Sequence, residues 1–313
     1  MQPSAHGRAV LGALAGALII ATSAILVRQS GASAAPASFF RCLFALPVLG
    51  ALSVRDRRRR PALPPRGRWT AWAAGVLLAV DLVLWSRAIG YVGAGLATVL
   101  ANLQVLLVAG LAWWLLDERP SRSLLAAVPA MVVGVALISG VGSQHTYGAN
   151  PGLGALFGAV ASVAYAAFLL VFRHGMPAPG PGNNAVQPLF HATVGATAGC
   201  AVLALATRDF ALGPAWPALG WLALLAMSSQ VVAWLLITNS LPRLPAALTS
   251  AVLLVQPVGA VALGALLFAE HPSPGQLAGV ALVLVGVLVA TAVEPLLARF
   301  RLLSRSRAVG RVG

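Results

Sequence analysis

Long apolar runs, separated by short breaks rich in Arg, Pro and Gly, dominate the pattern of hydrophobic and polar positions along the chain. A helix needs about 20 apolar residues to cross a bilayer, and each run is close to that length. The pattern predicts an all-α integral membrane protein with ten transmembrane helices. The predicted spans are 9–27, 36–54, 70–90, 94–116, 123–142, 152–172, 186–206, 216–239, 245–268 and 275–293.

The two halves of the chain resemble each other. The heptapeptide at 11–17 recurs at 153–159 with six of seven positions identical, and the segment Leu115–Ser121 has a counterpart 152 residues later. Gln104 and Gln256 show the same offset of 152. These matches predict a first repeat over 1–148 (helices 1–5), a second over 149–298 (helices 6–10), and a basic tail over 299–313.

An odd number of helices in each repeat has a topological consequence. Because a repeat of five helices ends on the opposite side from where it begins, the second repeat must enter the membrane inverted. Inverted repeats are typical of secondary transporters, in which two halves exchange conformations around a site near the bilayer midplane. The repeat therefore predicts a transporter that works by alternating access.

The composition supports a membrane protein and excludes an ordinary soluble enzyme. Hydrophobic residues make up 59% of the chain and charged residues only 9%, whereas soluble domains are about 25% charged. All 21 basic residues are Arg. Together with the abundance of Ala, Gly and Pro, this favours a bacterial source.

The net charge of +14 would indicate nucleic-acid binding in a soluble chain, but the positions of the arginines favour another interpretation. Starting from a cytoplasmic N-terminus, the ten spans place 17 of the 21 arginines in cytoplasmic loops or termini. This positive-inside bias predicts a multi-pass protein of the cell membrane with both termini cytoplasmic. We expect a small-molecule substrate and the lipid bilayer as partners and no nucleic acid. A homodimer is compatible with the sequence.

Two charged residues stand out within the spans. Asp81 lies eleven residues into the span 70–90, where a charge costs about 2.5–3.5 kcal/mol on insertion scales. It is therefore a candidate site for a cation or for a coupling proton, or else half of a structural pair with Arg41 or Arg87. Arg41 suits a substrate carboxylate, since a guanidinium binds it through two hydrogen bonds. The alternative is that Arg41 extends to the headgroups.

Polar amides and aromatic rings complete the candidate substrate site. Amides near the midplane can bind a polar substrate or bridge two helices, and the aromatic rings can form a wall beside Asp81. Trp85 lies one helical turn beyond Asp81 and so on the same face. The candidate amides are Gln104, Gln230 and Gln256, and the candidate rings are Trp85, Tyr165 and Trp234.

Several short motifs carry a resemblance to a known family. They are Phe40-Arg41, Ala94–Ala97, Asp117–Ser121, Pro245–Leu248, Gln256-Pro257 and Glu270–Ser273. In this order they resemble the EamA-type ten-helix members of the drug/metabolite transporter superfamily. The resemblance implies two five-helix repeats around a central cavity, with the fifth and tenth helices peripheral. It also implies export or exchange of small metabolites, often amino acids or related solutes.

Other function classes find less support in the sequence. There is no Walker A motif for nucleotide-driven pumping, no metal-ligand spacing and no nucleophile–base pair, so we expect no cofactor, no metal and no catalytic residues. An intramembrane enzyme and a non-transporting sensor or scaffold on the same fold are the alternatives. The sequence favours a secondary transporter of a small organic metabolite.

Overall fold

The computed structural model describes residues 5–142, 145–175, 186–209, 215–240, 243–244 and 246–309. No strand occurs among these residues, which confirms the all-α prediction. The helices in chain order are α1 (Ala5–Ala21), α2 (Ser23–Ser30), α3 (Ala34–Arg57), α4 (Pro65–Val92), α5 (Ala94–Ala101), α6 (Gln104–Leu116), α7 (Arg122–Ile138), α8 (Pro151–Gly175), α9 (Val186–Ala206), α10 (Ala218–Leu225), a π-helical segment (Ala226–Ala233), α11 (Trp234–Ser240), α12 (Ala246–Leu253), α13 (Val255–Phe268) and α14 (Pro274–Val309).

Eight stretches of these helices are long and apolar enough to cross a membrane. They are Gly7–Ser30, Ala34–Arg57, Pro65–Ala101, Pro151–His174, Val186–Ala206, Ala218–Ser240, Ala251–Phe268 and Pro274–Thr291. Two shorter apolar helices, Gln104–Leu115 and Arg122–Ile138, lie between them in the chain. The count of ten crossings therefore stays a prediction.

Three spans expected to be continuous helices, 94–116, 245–268 and 9–27, are interrupted. The first breaks at residues 102–103 between α5 and α6, the second at Leu254 between α12 and α13, and the third at Thr22 between α1 and α2. At the first break the Asn102 side chain donates to the Thr98 carbonyl at 2.9 Å, and the N–H groups of Asn102 and Leu103 bond three residues back. A side chain that competes for helix carbonyls and a tightened turn explain why the regular ladder stops here.

Close contact between helix backbones holds α4 against α9. A Cβ atom on Gly75 would collide with the Ala192 carbonyl, and one on Gly195 would collide with the Trp72 carbonyl. The same arrangement joins α7 to α14, where a Cβ on Gly134 would lie 2.8 Å from the Gly279 carbonyl oxygen. Small residues at such crossings let two helices approach closely enough for strong van der Waals contact.

A buried amide ties the two halves of the chain together. The Gln276 side chain, near the start of α14, accepts from the N–H groups of Tyr147 at 2.9 Å and Ser273 at 3.0 Å. It donates to the carbonyls of Ile138 at 3.2 Å and Tyr147 at 3.0 Å. Gln276 therefore holds the connection after α7 to the beginning of the last helix.

Large apolar side chains cover the outside of the bundle. Examples on three different helices are Leu18, Trp114 and Leu266, all of them exposed. Soluble proteins rarely expose contiguous apolar surface, so these positions fit contact with lipid chains.

Candidate functional site

A cavity of about 440 Å³ lies between the helices of the bundle. Its walls come from both halves of the chain, including α4 and α5 from the first and α11 and α14 from the second. All eight residues singled out from the sequence line it, namely Arg41, Asp81, Trp85, Gln104, Tyr165, Gln230, Trp234 and Gln256. The fold thus brings the predicted site residues together in one place.

Arg41 extends into this cavity from α3. It is only 7% exposed, its Nε–H donates to Gln230 Oε1 at 3.2 Å, and its guanidinium carbon lies 6.0 Å from the centre of a Trp85 ring. The alternative that Arg41 reaches out to the headgroups is therefore wrong. A bond to an amide and an aromatic neighbour hold the guanidinium inside the bundle.

Asp81 lines the same cavity from α4 and is also 7% exposed. In the described part of the chain it forms no ion pair within 4.0 Å and no hydrogen bond through its side chain. The structural pairs considered for it are not formed, since Arg41 bonds to Gln230 and Arg87 lies over the Phe157 ring at 5.9 Å. The carboxylate shares the cavity with Arg41 and has neither a hydrogen-bond nor an ion-pair partner among the described residues.

Two amide atoms in the cavity wall are buried and have no hydrogen-bond partner in the part of the chain that the structure describes. They are the Oε1 atom of Gln104 and the Nε2 atom of Gln230. Buried polar atoms are nearly always paired with protein, water or ligand, and an unpaired one costs free energy. One acceptor and one donor are therefore available to a molecule in the cavity.

Aromatic rings line the cavity as well. Trp85 lies beside Arg41, while Tyr165 and Trp234 both pack on Phe168, with ring centres 5.4 and 6.1 Å from it. Phe168 itself is fully buried. The rings are thus held in place by a packed core and present apolar faces beside the charged groups.

The interruptions in the helices place several polar groups at the site. Gln104 begins α6 directly after the break at 102–103, and Gln256 follows the break at Leu254. Gln230 lies in the π-helical segment. Discontinuous helices near the midplane are typical of transporter binding sites, and single π-helical turns often occur at functional sites.

Sequence reasoning did not single out the hydroxyl groups of the cavity wall. Thr98, Thr238 and Thr291 line the cavity and donate to carbonyls one turn back in their own helices, at 2.7–2.8 Å. Their oxygen lone pairs remain available as acceptors. A Thr within an apolar span is the signal that could have found them, but the same signal also fits a hydroxyl that bonds only within its own helix.

Metal-ligating side chains do not gather anywhere in the ranges that the structure describes. No group of three or more His, Cys, Asp or Glu residues there could hold a metal ion. Cys42 and Cys200 are buried free thiols.

The chain matches one protein family over most of its length. Residues 7–140 and 152–292 each match the EamA-like transporter family. The chain belongs to the EamA-like transporter family. This confirms the resemblance drawn from the short motifs, and with the apolar helices it identifies a multi-pass membrane protein.

A solved crystal structure shares the fold of this EamA-like protein. It is 18% identical in sequence, covers 90% of this chain and 95% of its own, and superposes with a TM-score of 0.58. At this identity the likeness concerns the fold alone. No curated protein sequence is significantly similar to the chain.

Proposed function

We propose that this EamA-like protein is a secondary transporter that moves a small zwitterionic metabolite, an amino acid or a related solute, across the cell membrane by alternating access. Export or exchange is the expected direction. The observation that carries the proposal is the pair of opposite charges, Asp81 and Arg41, buried in one cavity without an ion pair between them.

The charges favour a substrate that carries both signs. Burying two charges that form no ion pair with each other is costly, and a ligand with an ammonium and a carboxylate group would satisfy both. Arg41 has five N–H donors, and Nε is the one bonded to Gln230. The other donors suit a carboxylate, while Asp81 suits the ammonium group.

The remaining lining supports a substrate of modest size with an apolar part. The cavity volume of about 440 Å³ lies at the lower end of the range for small-molecule sites, roughly 300–1,000 Å³. Trp85, Tyr165 and Trp234 offer an aromatic surface to the apolar part. The unpaired atoms of Gln104 and Gln230 offer further hydrogen bonds.

The membrane arrangement that goes with this function has ten crossings. In it, α5 and α6 together form one crossing from Ala94 to Leu116, and α7 forms another. Both termini lie in the cytoplasm of a bacterial cell, as the arginine distribution predicts. Asp81 carries the proton if transport is coupled to a proton gradient.

Counterflow in proteoliposomes tests the proposal. Purified protein is reconstituted into vesicles loaded with an unlabelled solute, and uptake of the labelled solute is followed for amino acids, nucleosides, sugars and organic cations. We expect saturable exchange of amino acids or close relatives and little exchange of sugars or nucleosides. The assay is then repeated with an imposed pH gradient.

The matched variants are Arg41→Gln and Arg87→Gln. Both remove a guanidinium from within the membrane, but only Arg41 lines the cavity. Loss of a charge-assisted bond should lower exchange by roughly tenfold or more in Arg41→Gln, and Arg87→Gln should retain it. No exchange of any class by a folded preparation would contradict transport and favour the sensor or scaffold alternative.

A further inference from the structure

Two helices end in the same way at opposite ends of the bundle. The residue after α6, Asp117, has a φ angle of 53°, and the residue after α13, Ala269, has a φ angle of 49°. A glutamate follows each of them, Glu118 and Glu270, and its N–H bonds to the carbonyl six residues earlier at 3.3 and 3.2 Å. The backbone therefore directs both glutamates in an equivalent way, 152 residues apart.

Glu270 links the second repeat to the first at one end of the bundle. Its carboxylate accepts from the N–H groups of Ala94 at 2.7 Å and Gly95 at 3.1 Å and forms an ion pair with Arg28. The side chain is 2% exposed. Because the first N–H groups of a helix lack partners and carry partial positive charge, the carboxylate fits the start of α5. We call Arg28, Glu270 and these two N–H groups the Glu270 gate.

Glycine makes this close approach feasible. A Cβ atom on Gly93 would lie 2.7 Å from Glu270 Oε1, and a Cβ on Gly264 would collide with Oε2. Gly93 also has a φ angle of +86°, which L-residues with side chains rarely adopt. The surroundings of Glu270 are therefore shaped for a carboxylate in this position.

The equivalent glutamate at the other end is loosely held. The Glu118 side chain is 50% exposed, and its Oε1 lies 3.6 Å from an Nη2 atom of Arg173, which is 71% exposed. Arg28 and Arg173 occupy comparable places, near the ends of the first predicted span of each repeat. We call Glu118 and Arg173 the Glu118 gate.

The second repeat has a helix start equivalent to the one that Glu270 contacts. The helix α12 begins at Ala246, which is 152 residues after Ala94. The offset that relates the two glutamates therefore also relates the two helix starts. Each gate takes its glutamate from one repeat and its helix start from the other.

The Glu270 gate lies beside a barrier between two cavities. A second cavity of about 480 Å³, lined by Arg28, Tyr91 and Tyr147 among others, shares no lining residue in the described ranges with the central cavity. Fully buried Val92 and Leu96 belong to the apolar core at this end. The central cavity extends along the other direction to Thr238 and Thr291, toward the end of the bundle that carries Glu118.

We propose that the Glu270 gate and the Glu118 gate close alternately, so that one glutamate at a time is seated on the helix start of the opposite repeat. The inference rests on the proposed transport function. In the structure the Glu270 gate is closed and the Glu118 gate is open. Transport then requires Glu270 to leave Ala94 and Gly95 while Glu118 moves onto the start of α12 beside Arg173.

Cysteine accessibility tests the proposal without a substrate. Cys42→Ala and Cys200→Ala remove the natural thiols, and Ala101→Cys places a thiol on the cavity wall. Sealed vesicles of each orientation are treated with a membrane-impermeant maleimide. We expect the parent to be labelled mainly from the side that carries Glu118.

Variants of the two gates should shift maleimide labelling in opposite directions. Glu270→Gln weakens the closed gate and should raise labelling from the Glu270 side by about tenfold, the order expected for loss of a charge-assisted bond. Glu118→Gln weakens the gate of the other state and should lower labelling from the Glu270 side. Asp209→Asn is the matched control, since Asp209 also accepts from a helix N–H, that of Ala35 at 3.2 Å, but belongs to neither gate.

Shifts of the same sign, or none, in the two glutamate variants would overturn the proposal, as would a parent labelled equally from both sides. If Glu270→Gln does not fold, Arg28→Gln weakens the same gate and must likewise raise labelling from the Glu270 side. Because labelling requires no substrate, alternating accessibility without counterflow would contradict the transport function and leave the gates intact. Counterflow with unchanged accessibility in both variants would contradict the gates and leave the transport function supported.

Discussion

The Nε–H of Arg41 donates to Gln230 Oε1 at 3.2 Å, which joins a cation on α3 to an amide in the π-helical segment. This bond orients the guanidinium beside Trp85 and leaves its remaining donors toward the cavity. A change at Gln230 should therefore alter what Arg41 can bind.

Gln230→Glu should weaken substrate binding. A second carboxylate beside Arg41 would form an ion pair with it and compete with the carboxylate of the substrate. We expect the KM of counterflow to rise about tenfold, equivalent to about 1.4 kcal/mol. Gln230→Met, which removes the bond but adds no charge, should have a smaller effect. An unchanged KM in Gln230→Glu would argue against a role for Arg41 in binding.

Asp81→Asn should remove proton coupling and leave the fold intact. Asp81 forms no ion pair in the described ranges, so the neutral isostere breaks no contact and removes a costly buried charge, and we expect the melting temperature in detergent to stay the same or to rise. The response of counterflow to an imposed pH gradient should disappear. Normal gradient-driven flux in Asp81→Asn would remove Asp81 from the mechanism.

Gly75→Ala should destabilise the protein, whereas Gly90→Ala on the same helix should not. A Cβ on Gly75 collides with the Ala192 carbonyl of α9, while a Cβ on Gly90 meets nothing within 4 Å. Overpacking costs about 1–3 kcal/mol, and Ala is the better helix former. Thermal unfolding monitored by circular dichroism compares the two, and equal melting temperatures would contradict the close α4–α9 contact.

Gln276→Leu should lower stability more than Gln276→Glu. Leucine loses all four hydrogen bonds to Tyr147, Ser273 and Ile138, and each buried group left without a partner costs about 1–3 kcal/mol. Glutamate keeps the acceptor for the two N–H groups but loses the donor. The melting temperatures should therefore fall in the order parent, Gln276→Glu, Gln276→Leu. The reverse order would show that burying a carboxylate against the carbonyls of Ile138 and Tyr147 costs more than the two accepted bonds contribute.

The all-α class and the residues that line the cavity could be predicted from the sequence. Both follow from the pattern of long apolar spans and the few polar residues within them. An Asp or Gln within an apolar span avoids lipid, and the inside of a bundle is the place where it can do so. This argument predicts that Asp81, Gln104 and Gln256 share one site, and all three line the central cavity.

The interruptions of the helices could not be predicted in this way. Mainly apolar residues flank Asn102 on both sides, and no Gly or Pro marks residues 102–103. The break depends on which carbonyl the Asn102 side chain bonds to. The pairing of Glu270 with Ala94 was equally hidden, since 176 residues separate them in the chain.

That separation bears on how the protein is made. Ribosomes synthesise the chain from its N-terminus, so Ala94, Gly95 and Arg28 reach the membrane well before Glu270 exists. The N–H groups of Ala94 and Gly95 open α5 and so have no partner within that helix, and the nascent first repeat carries both of them, with the Arg28 guanidinium nearby, until Glu270 is made. The early helices therefore enter the membrane as an unfinished assembly, and a residue close to the last helix completes their hydrogen bonding.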